Sequence, residues 1–252
     1  MARILEVAIE RSRDGVRADA LDRVVVEAPL QLRARGVPVA TIMRTPGHEL
    51  ELVRGLLHAE SVQAGEITQA DEDAVEIACE PAAFAGRGLL ASAACGVCGR
   101  VAIADLELRA TSVESDAATP LRVLADLPEK LRAGQALFED TGGLHAAALF
   151  TLAGERIALR EDVGRHNAVD KLVGWALAER LEPARHLLFL SGRAGYELVQ
   201  KAIMFGLPIV ASVSAPSSLA IELAERFNVT LAGFVRGSRA NVYAHGWRLL
   251  GS

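Results

Sequence analysis

The feature that most constrains this fold is the alternation of short apolar runs and helical patterns in the second half of the chain. Residues 186–190, 208–213 and 229–235 are predicted to be strands, because these runs are short and rich in apolar and β-branched side chains. Apolar residues recur at helical spacing between them, most clearly over residues 165–180 and 217–227. Strands that alternate with helices predict a three-layer α/β domain with a largely parallel sheet.

The first half of the chain has a different pattern, in which short strands dominate. Residues 23–29 are predicted to form one strand, and a hairpin is predicted around Gly36. A polar segment without periodicity, residues 109–120, separates the two halves. We therefore expect an α/β protein with a β-rich N-terminal domain over residues 1–115 and an α/β domain over residues 116–252.

Capping patterns predict where two helices begin. Thr45 is a favourable N-cap, with Pro46 in the first helical turn. Asp126 is predicted to cap a second helix that runs to Phe138. Two interpretations of Arg44 and Thr45 stay open: they only cap the first helix, or they bind an anion at its N-terminus.

The composition limits the partners and the compartment. The chain has 252 residues, 51% of them hydrophobic, and a net charge of -5, so it has no general attraction for nucleic acid or anionic membranes. No apolar run approaches the roughly 20 residues that a membrane span needs, and the N-terminus lacks a signal-peptide pattern. Three cysteines with one close pair suit a reducing compartment. We expect a cytoplasmic protein that binds neither nucleic acid nor membranes.

Two of the three cysteines, Cys95 and Cys98, form a close pair that is open to several kinds of chemistry. A glycine follows each of them, and Arg100 ends the run. Because a thiol reacts as its thiolate, exposure and a nearby positive charge raise its reactivity. The pair could ligate a metal, form a disulfide, carry sulfur or be an unremarkable part of a surface loop. A structural zinc site needs about four ligands, so zinc would require a second copy of the chain across a dimer axis.

Polar, glycine-rich segments adjoin several of the predicted strands. Ligands of α/β sheets bind beyond the carboxyl ends of the strands, and helix N-termini, serine hydroxyls and arginines suit phosphate oxygens. Each segment also has a structural interpretation, such as a helix cap at Ser217 or an ion pair between Asp162 and Arg165. Together they predict a site for an anionic, nucleotide-like ligand. The candidate binding residues are Arg44, Thr45, Gly142, Gly143, His145, Asp162, Arg165, His166, Asn167, Ser191, Gly192, Arg193, Ser214, Ser217, Arg236, Gly237, Ser238 and Arg239.

Several common enzyme classes do not fit the sequence. It has no Gly-x-Gly-x-x-Gly after a strand, no phosphate-loop lysine motif and no serine-hydrolase elbow. A zinc deaminase needs a later Cys-x-x-Cys on a helix. Here all three cysteines precede residue 100, and His145 is followed by three alanines. The sequence therefore does not fit zinc-dependent deamination, and the predicted site contains no metal ligand, with zinc on the cysteine pair of a dimer left as the alternative.

Seven motifs together carry a specific resemblance to a known family. They lie at residues 43–47 (MRTPG), 95–99 (CGVCG), 141–147 (TGGLHAA), 161–171 (EDVGRHNAVDK), 191–193 (SGR), 214–217 (SAPS) and 233–237 (GFVRG). In this order, and over most of the chain, they resemble the FdhD family, the sulfur carriers needed to mature formate dehydrogenase.

The resemblance implies a sulfurtransferase with a cysteine persulfide intermediate. Such a protein accepts sulfur from a cysteine desulfurase and passes it to the molybdenum or tungsten bis(molybdopterin guanine dinucleotide) cofactor, before that cofactor enters apo-formate dehydrogenase. The predicted catalytic residues are Cys95, which would carry the persulfide, and Cys98, which would relay or release the sulfur.

The resemblance also implies a ligand segment, a fold and an oligomeric state. The family's cofactor segment corresponds to residues 234–239, which adds Phe234 and Val235 to the candidate binding residues. Guanosine diphosphate would mimic part of the cofactor. The family's second domain is similar to the cytidine deaminase fold without its zinc, and its members are typically homodimers. A different interpretation is a non-catalytic cofactor chaperone whose cysteine pair binds zinc at a dimer interface.

Overall fold

The computed structural model describes residues 1–84, 106–107 and 109–251. The predicted catalytic pair, Cys95 and Cys98, lies outside the described residues. No helix within the described part of the chain combines the length and apolar character that crossing a membrane requires.

The N-terminal half is built from two sheets and one helix. Strands β1 and β2 form a two-stranded antiparallel hairpin, and a four-stranded sheet has the order β4-β3-β6-β5. Helix α1 packs against this larger sheet through apolar side chains such as Leu52 and Val53. The elements are β1 (Ile4–Arg13), β2 (Val16–Val25), β3 (Ala28–Ala34), β4 (Val37–Arg44), α1 (Glu49–Ala59), β5 (Ile67–Asp71) and β6 (Ala74–Ile77).

The hairpin predicted around Gly36 is confirmed, since β3 and β4 pair antiparallel and Gly36 takes the left-handed φ of 74° that the turn requires. The single strand predicted over residues 23–29 is wrong. Those residues contain the end of β2 and the start of β3, which belong to different sheets. β-branched composition indicates extended backbone, but it does not indicate which sheet the backbone joins.

Helix α1 begins later than the capping pattern predicted. Its first residue is Glu49, and His48 precedes it in a left-handed conformation with φ of 65°. Thr45 is completely buried instead. Its backbone N–H donates to Asp162, 3.1 Å away, and its hydroxyl accepts a hydrogen bond from the Val163 amide. Thr45 therefore hydrogen-bonds to the segment that follows β9 in the second half of the chain, and it does not cap helix α1 as the local pattern predicted.

The C-terminal half contains a six-stranded sheet with the order β13-β12-β11-β10-β8-β9. Its strands are β8 (His145–Thr151), β9 (Arg156–Asp162), β10 (His186–Leu190), β11 (Ile209–Ser212), β12 (Thr230–Arg236) and β13 (Arg239–Ala244). The short strands β7 (Thr119–Pro120) and β14 (Leu249–Leu250) pair with each other. The helices are α2 (Leu121–Arg132), α3 (Ala136–Thr141), α4 (Arg165–Ala178), α5 (Tyr196–Phe205) and α6 (Ser218–Arg226).

The sheet is mixed, so the prediction of a largely parallel sheet is wrong. Only the pairs β10–β11 and β11–β12 are parallel, whereas β8–β9, β8–β10 and β12–β13 are antiparallel. Short turns at Gly154 and Gly237 connect β8 to β9 and β12 to β13. A parallel connection needs a crossover of a dozen or more residues, which these turns do not have.

The predicted three-layer α/β class is confirmed by the two buried clusters on opposite faces of the sheet. One cluster contains Leu172, Leu198 and Leu223 from helices α4, α5 and α6. The other contains the side chains that helix α2 lays on the sheet, namely Leu124, Leu127 and Leu131.

The helix predicted to run from Asp126 to Phe138 is wrong in its start and its length. Helix α2 already begins at Leu121, so Pro128 lies inside it, and α3 is a separate short helix. A proline inside a helix removes one backbone hydrogen bond. The apolar stripe that α2 buries against the sheet outweighs this loss.

The two halves meet where helix α1 crosses helix α4. A Cβ atom on Gly174 would lie 1.8 Å from the Glu51 carbonyl oxygen, and one on Gly55 would lie 2.0 Å from the Asp170 carbonyl oxygen. The two helix backbones therefore touch, which only glycine permits at these positions. The domain boundary near residue 115 stays a prediction.

We expect Gly174→Ala to destabilise the protein by about 3 kcal/mol or more, because the added methyl group overlaps a backbone oxygen and forces the helices apart. Urea denaturation measures the loss. The matched control is Gly195→Ala, whose added Cβ would have no atom within 4 Å. Equal stability of the two variants would show that the crossing is not as close as described.

Candidate functional site

The predicted binding residues of the second half gather at one edge of the six-stranded sheet. Strands β9, β10, β11 and β12 run in the same direction, so their carboxyl ends lie at this edge, together with the starts of β8 and β13. His145 lies beside Asp162 in register. The Ser191 amide donates to the Ala146 carbonyl at 3.0 Å, and the Ala146 amide donates to the Ser191 hydroxyl at 2.8 Å.

The contacts continue along the same edge toward β12. The Ala194 amide donates to the Ala215 carbonyl at 3.1 Å, and the Phe234 amide donates to the Ser214 carbonyl at 3.2 Å. A Cβ atom on Gly192 would lie 3.3 Å from Nδ1 of His145, so these two segments also touch. The predicted segments therefore contact one another in sequence along this edge of the sheet.

A cavity of about 550 Å³ opens between this edge and helices α2 and α3. Four predicted binding residues line it: Gly142, Gly143, His145 and Ser191. The remaining lining residues are Pro128, Leu131, Arg132, Gln135, Phe138, Leu144 and Val213. Of these, Leu144 belongs to the motif at residues 141–147, although it was not predicted as a binding residue. Sequence reasoning missed the others because no motif contains them.

The surroundings of His145 are positively charged. Burial lowers the pKa of His145, and the positive charges of Arg165, His166 and Arg193 lower it further. Among the described residues, neither Arg165 nor Arg193 has an ion-pair partner. A neutral imidazole next to two uncompensated guanidinium groups suits an anionic ligand.

The β12–β13 turn presents an exposed aromatic ring next to two arginines. Phe234 is 40% exposed and has φ of 52°, and the strand register shifts between Gly233 and Arg236. A bulge of this kind re-aims side chains, and left-handed φ is uncommon outside glycine. Arg236 and Arg239 face each other in register, and both are exposed, as are Gly237 and Ser238. Val235 differs from its neighbours, because its side chain is completely buried in the core.

Other predicted binding residues already use their polar groups inside the protein. Asp162 is completely buried and pairs with Lys171 at 2.6 Å. Its carboxylate also accepts hydrogen bonds from the Thr45 and Gly164 amides and from the Asn167 side chain. The suggested pair between Asp162 and Arg165 is therefore wrong, because Lys171 takes that place.

Arg44 and Ser217 likewise have internal partners. The Arg44 guanidinium is completely buried and lies 3.1 Å from both Glu49 and Asp73. The Ser217 hydroxyl accepts a hydrogen bond from the Ala220 amide, so Ser217 caps helix α6 as predicted. A ligand-binding role for these residues stays a prediction.

Two further charged pairs connect α4 to α5 next to the edge. His166 lies 2.5 Å from Glu197, and this hydrogen bond lowers the pKa of the Glu197 carboxyl. Lys201 donates to both oxygens of the buried Asp170, at 2.7 and 2.9 Å. The sequence signal for these pairs is weak, since it consists only of charges inside otherwise apolar helices. Together they join the N-terminal halves of α4 and α5 to each other.

Comparisons with known proteins agree along most of the chain. The model of the FdhD/NarQ family matches residues 25–250. The chain is 46% identical to the sulfur carrier protein FdhD of Sulfolobus acidocaldarius over 253 residues, which covers 98% of both chains. It is also 46% identical to the protein of the same name from Nocardia farcinica, covering 90% of this chain and 88% of that one.

The fold has a solved counterpart. A protein from Desulfotalea psychrophila, described as a formate dehydrogenase accessory protein, aligns with a TM-score of 0.80 at 23% identity and covers 99% of this chain and 100% of its own. The similarity to this structure extends over both halves of the fold. The family model and the relatives at 46% identity show that the chain belongs to the FdhD/NarQ family.

Proposed function

We propose that this protein is a sulfur carrier that passes persulfide sulfur from a cysteine desulfurase to the molybdenum bis(molybdopterin guanine dinucleotide) cofactor required by formate dehydrogenase. The observation that carries the proposal is the 46% identity, over 98% of both chains, to a relative named sulfur carrier protein FdhD. The cofactor is the cargo of the protein, and apo-formate dehydrogenase is its destination.

The sulfur transfer uses Cys95 as the nucleophile. Its thiolate attacks the outer sulfur of the desulfurase persulfide, a new S–S bond forms on Cys95, and the desulfurase cysteine leaves as a thiolate. Attack of Cys98 on the Cys95 sulfur would then form a disulfide and release hydrosulfide, or Cys98 would take over the sulfur as a relay. The relay route needs only the two thiols of the motif, whereas the disulfide route also needs an external thiol reductant to restore them before the next cycle.

The sheet edge is the proposed docking site for the nucleotide part of the cargo. Four guanidinium groups lie along it without an ion-pair partner among the described residues: Arg165, Arg193, Arg236 and Arg239. Phe234 belongs to the same β12–β13 segment as Arg236 and Arg239, and its exposed ring offers a flat apolar surface. Phosphates would bind the arginines, because charge-assisted hydrogen bonds are the strongest that a protein offers to an anion.

A homodimer is also proposed, with the β1–β2 hairpin as its interface. Leu5, Val16 and Val24 share one face of the hairpin and are all exposed. An isolated two-stranded hairpin is marginally stable, and the contacts of this one with the rest of the chain include the Arg23–Asp140 ion pair near its base. A second copy that covers the apolar face would stabilise it.

We expect Cys95→Ala to abolish persulfide loading and the activation of formate dehydrogenase, because no other thiol replaces the nucleophile. Intact mass after incubation with desulfurase and cysteine measures the gain of one sulfur. The control is Cys79→Ala, since burial raises the pKa of the Cys79 thiol and makes it a poor nucleophile.

Full formate dehydrogenase activity with Cys95→Ala would contradict the sulfur-carrier proposal. Zinc at about half an equivalent per chain, lost in Cys98→Ser, would then favour the zinc-binding chaperone.

Guanosine diphosphate should raise the melting temperature of the wild-type protein, because a ligand that binds only the folded state stabilises it. We expect Arg193→Ala to weaken its binding about 10-fold, through the loss of one charge-assisted contact. The control is Arg17→Ala, since Arg17 lies on the hairpin and pairs with Glu10. If Arg193→Ala binds guanosine diphosphate as tightly as the wild type, Arg193 does not belong to the binding site.

The double variant Leu5→Glu/Val24→Glu should convert the dimer into a monomer, because it places two charges on adjacent positions of the apolar face. Light scattering after size-exclusion chromatography measures the mass. Glu10→Ala, on the opposite face of the hairpin, should leave the dimer intact. A wild-type protein that is already monomeric at micromolar concentration would contradict the proposed dimer.

A further inference from the structure

A buried arginine near the C-terminal end of the chain lacks a compensating negative charge. Arg248 is completely buried, and its Nη2 donates to the Ser115 carbonyl at 3.2 Å. Its Nε and Nη1 atoms have no hydrogen-bond partner, and no acidic side chain in the described part of the chain forms an ion pair with it. Burial lowers the pKa of this guanidinium. Because an uncompensated buried charge is costly, an anion from outside the chain would stabilise it.

Arg248 lies at the amino edge of the six-stranded sheet. The Val113 amide donates to the Phe227 carbonyl, just before β12, and the Ser115 hydroxyl donates to the Ala184 carbonyl, just before β10. Strands β10 and β12 run in the same direction, so the segment that holds Arg248 follows their amino ends. The carboxyl edge, with the proposed cargo site, is at the opposite ends of these strands. Arg248 therefore does not belong to that site.

Exposed apolar side chains accompany this buried charge. The Trp247 ring stacks on the Arg248 guanidinium at 4.0 Å and is still 53% exposed. Leu250 is exposed and pairs in register with Pro120, and the exposed Leu121 comes next in the chain. We call Leu121, Trp247 and Leu250 the C-terminal patch. A tryptophan and an arginine at the centre of an apolar surface are typical of residues that dominate protein–protein binding.

The charge around the C-terminal patch is positive. Residues 226–252 contain four arginines and neither aspartate nor glutamate, although the whole chain has a net charge of -5. Arg122, which follows Leu121, is exposed and has no ion-pair partner among the described residues. The acidic residues on either side of Ser115 do not pair with Arg122 or Arg248. The patch therefore complements a partner that presents carboxylates next to an apolar side chain.

The same edge of the sheet holds the chain that returns from the cysteine motif. Leu106 is completely buried in the core below α6, and Glu107 forms an ion pair with Arg226 at the end of that helix. Phe227, the next residue, bonds to the segment that leads to Arg248. Eight residues separate Cys98 from this anchored point, a length of at most about 28 Å. A protein on the patch would therefore lie beside the chain that leads to the cysteines.

We propose that the C-terminal patch docks the protein that donates sulfur to Cys95, through an acidic segment of the donor that also carries an apolar side chain. One carboxylate of the donor faces Arg122, and another compensates the buried charge of Arg248 from the rim of the Trp247 ring. The apolar side chain packs on the exposed face of that ring. The inference rests on the proposed function, in which the donor is a cysteine desulfurase, and docking at the amino edge leaves the carboxyl edge free for the cargo.

The test is sulfur loading by the desulfurase with cysteine in excess, at increasing concentrations of the full-length protein, with the gain of sulfur measured by intact mass. We expect Trp247→Ala to raise the KM for this protein about 10-fold or more, with kcat unchanged, because a central aromatic side chain contributes much of the binding energy of an interface. Arg122→Glu should raise the KM about 5-fold, because it sets a carboxylate against carboxylates. This second effect should shrink at high salt.

Inorganic polysulfide separates docking from the reactivity of the thiol. The Cys95 thiolate attacks a polysulfide sulfur, a new S–S bond forms on Cys95, and the shortened polysulfide leaves with the electron pair. No protein docks in this reaction, so Trp247→Ala and Arg122→Glu should both be loaded by polysulfide at the rate of the wild type.

Two matched controls change similar side chains elsewhere. Val37→Ala shortens an exposed apolar side chain at the start of β4, and Arg17→Glu reverses an exposed charge on the β1–β2 hairpin. Neither should change the KM for loading by the desulfurase.

Four outcomes would overturn the inference. The first is a KM that is unchanged in both Trp247→Ala and Arg122→Glu. The second is an equal loss of loading by polysulfide, which would show that the patch acts through the structure of the protein. The third is a change of oligomeric mass in Trp247→Ala at an unchanged KM, which would assign the patch to a second copy of the chain. The fourth is a wild-type protein that the desulfurase does not load, which alone also contradicts the proposed function.

Discussion

The buried ion pair between Asp162 and Lys171 is the interaction on which the rest of the structure depends. Its charges are 2.6 Å apart, and both side chains are completely buried. Removing one partner of such a pair typically costs about 3–5 kcal/mol, because the other charge stays buried and uncompensated. Lys171 also donates to the Thr45 carbonyl, and Asp162 accepts from the Thr45 amide. The pair therefore joins the end of β4, in the first half, to the end of β9 and the middle of α4.

The same contacts position the candidate site. Gly164 and Asn167 hydrogen-bond to the Asp162 carboxylate, so the first turn of α4 is fixed to the end of β9. Arg165 and His166 lie in that turn, and their positive charges act on His145 at the start of β8. Residues of one sequence motif thus have different roles: Asp162 and Lys171 hold the two halves together, whereas Arg165 has no ion-pair partner among the described residues and lies at the sheet edge.

The strongest sequence motifs predicted the edge but not the whole cavity. Strand ends with glycine, serine or arginine placed Ser191 and Arg193 at the carboxyl edge, and the sheet topology brings them next to His145. Gln135 and Phe138 follow no strand and belong to no motif. Their place in the cavity depends on how α2 and α3 cover the sheet. Helix periodicity indicates which face of a helix is buried, but it does not indicate where along a sheet the helix packs.

By itself, the sequence determined the α/β class, most strands of the second half and the segments that meet at the sheet edge. These features follow from local apolar patterns and from the rule that strand ends of an α/β sheet carry the ligand. Only the tertiary structure decided that Asp162 pairs with Lys171, that Thr45 bonds to β9 and that the sheet is mixed. The physical reason is that a buried charge must pair with an opposite charge that the fold brings close to it. The distance between two residues in the folded protein cannot be read from their separation in the sequence.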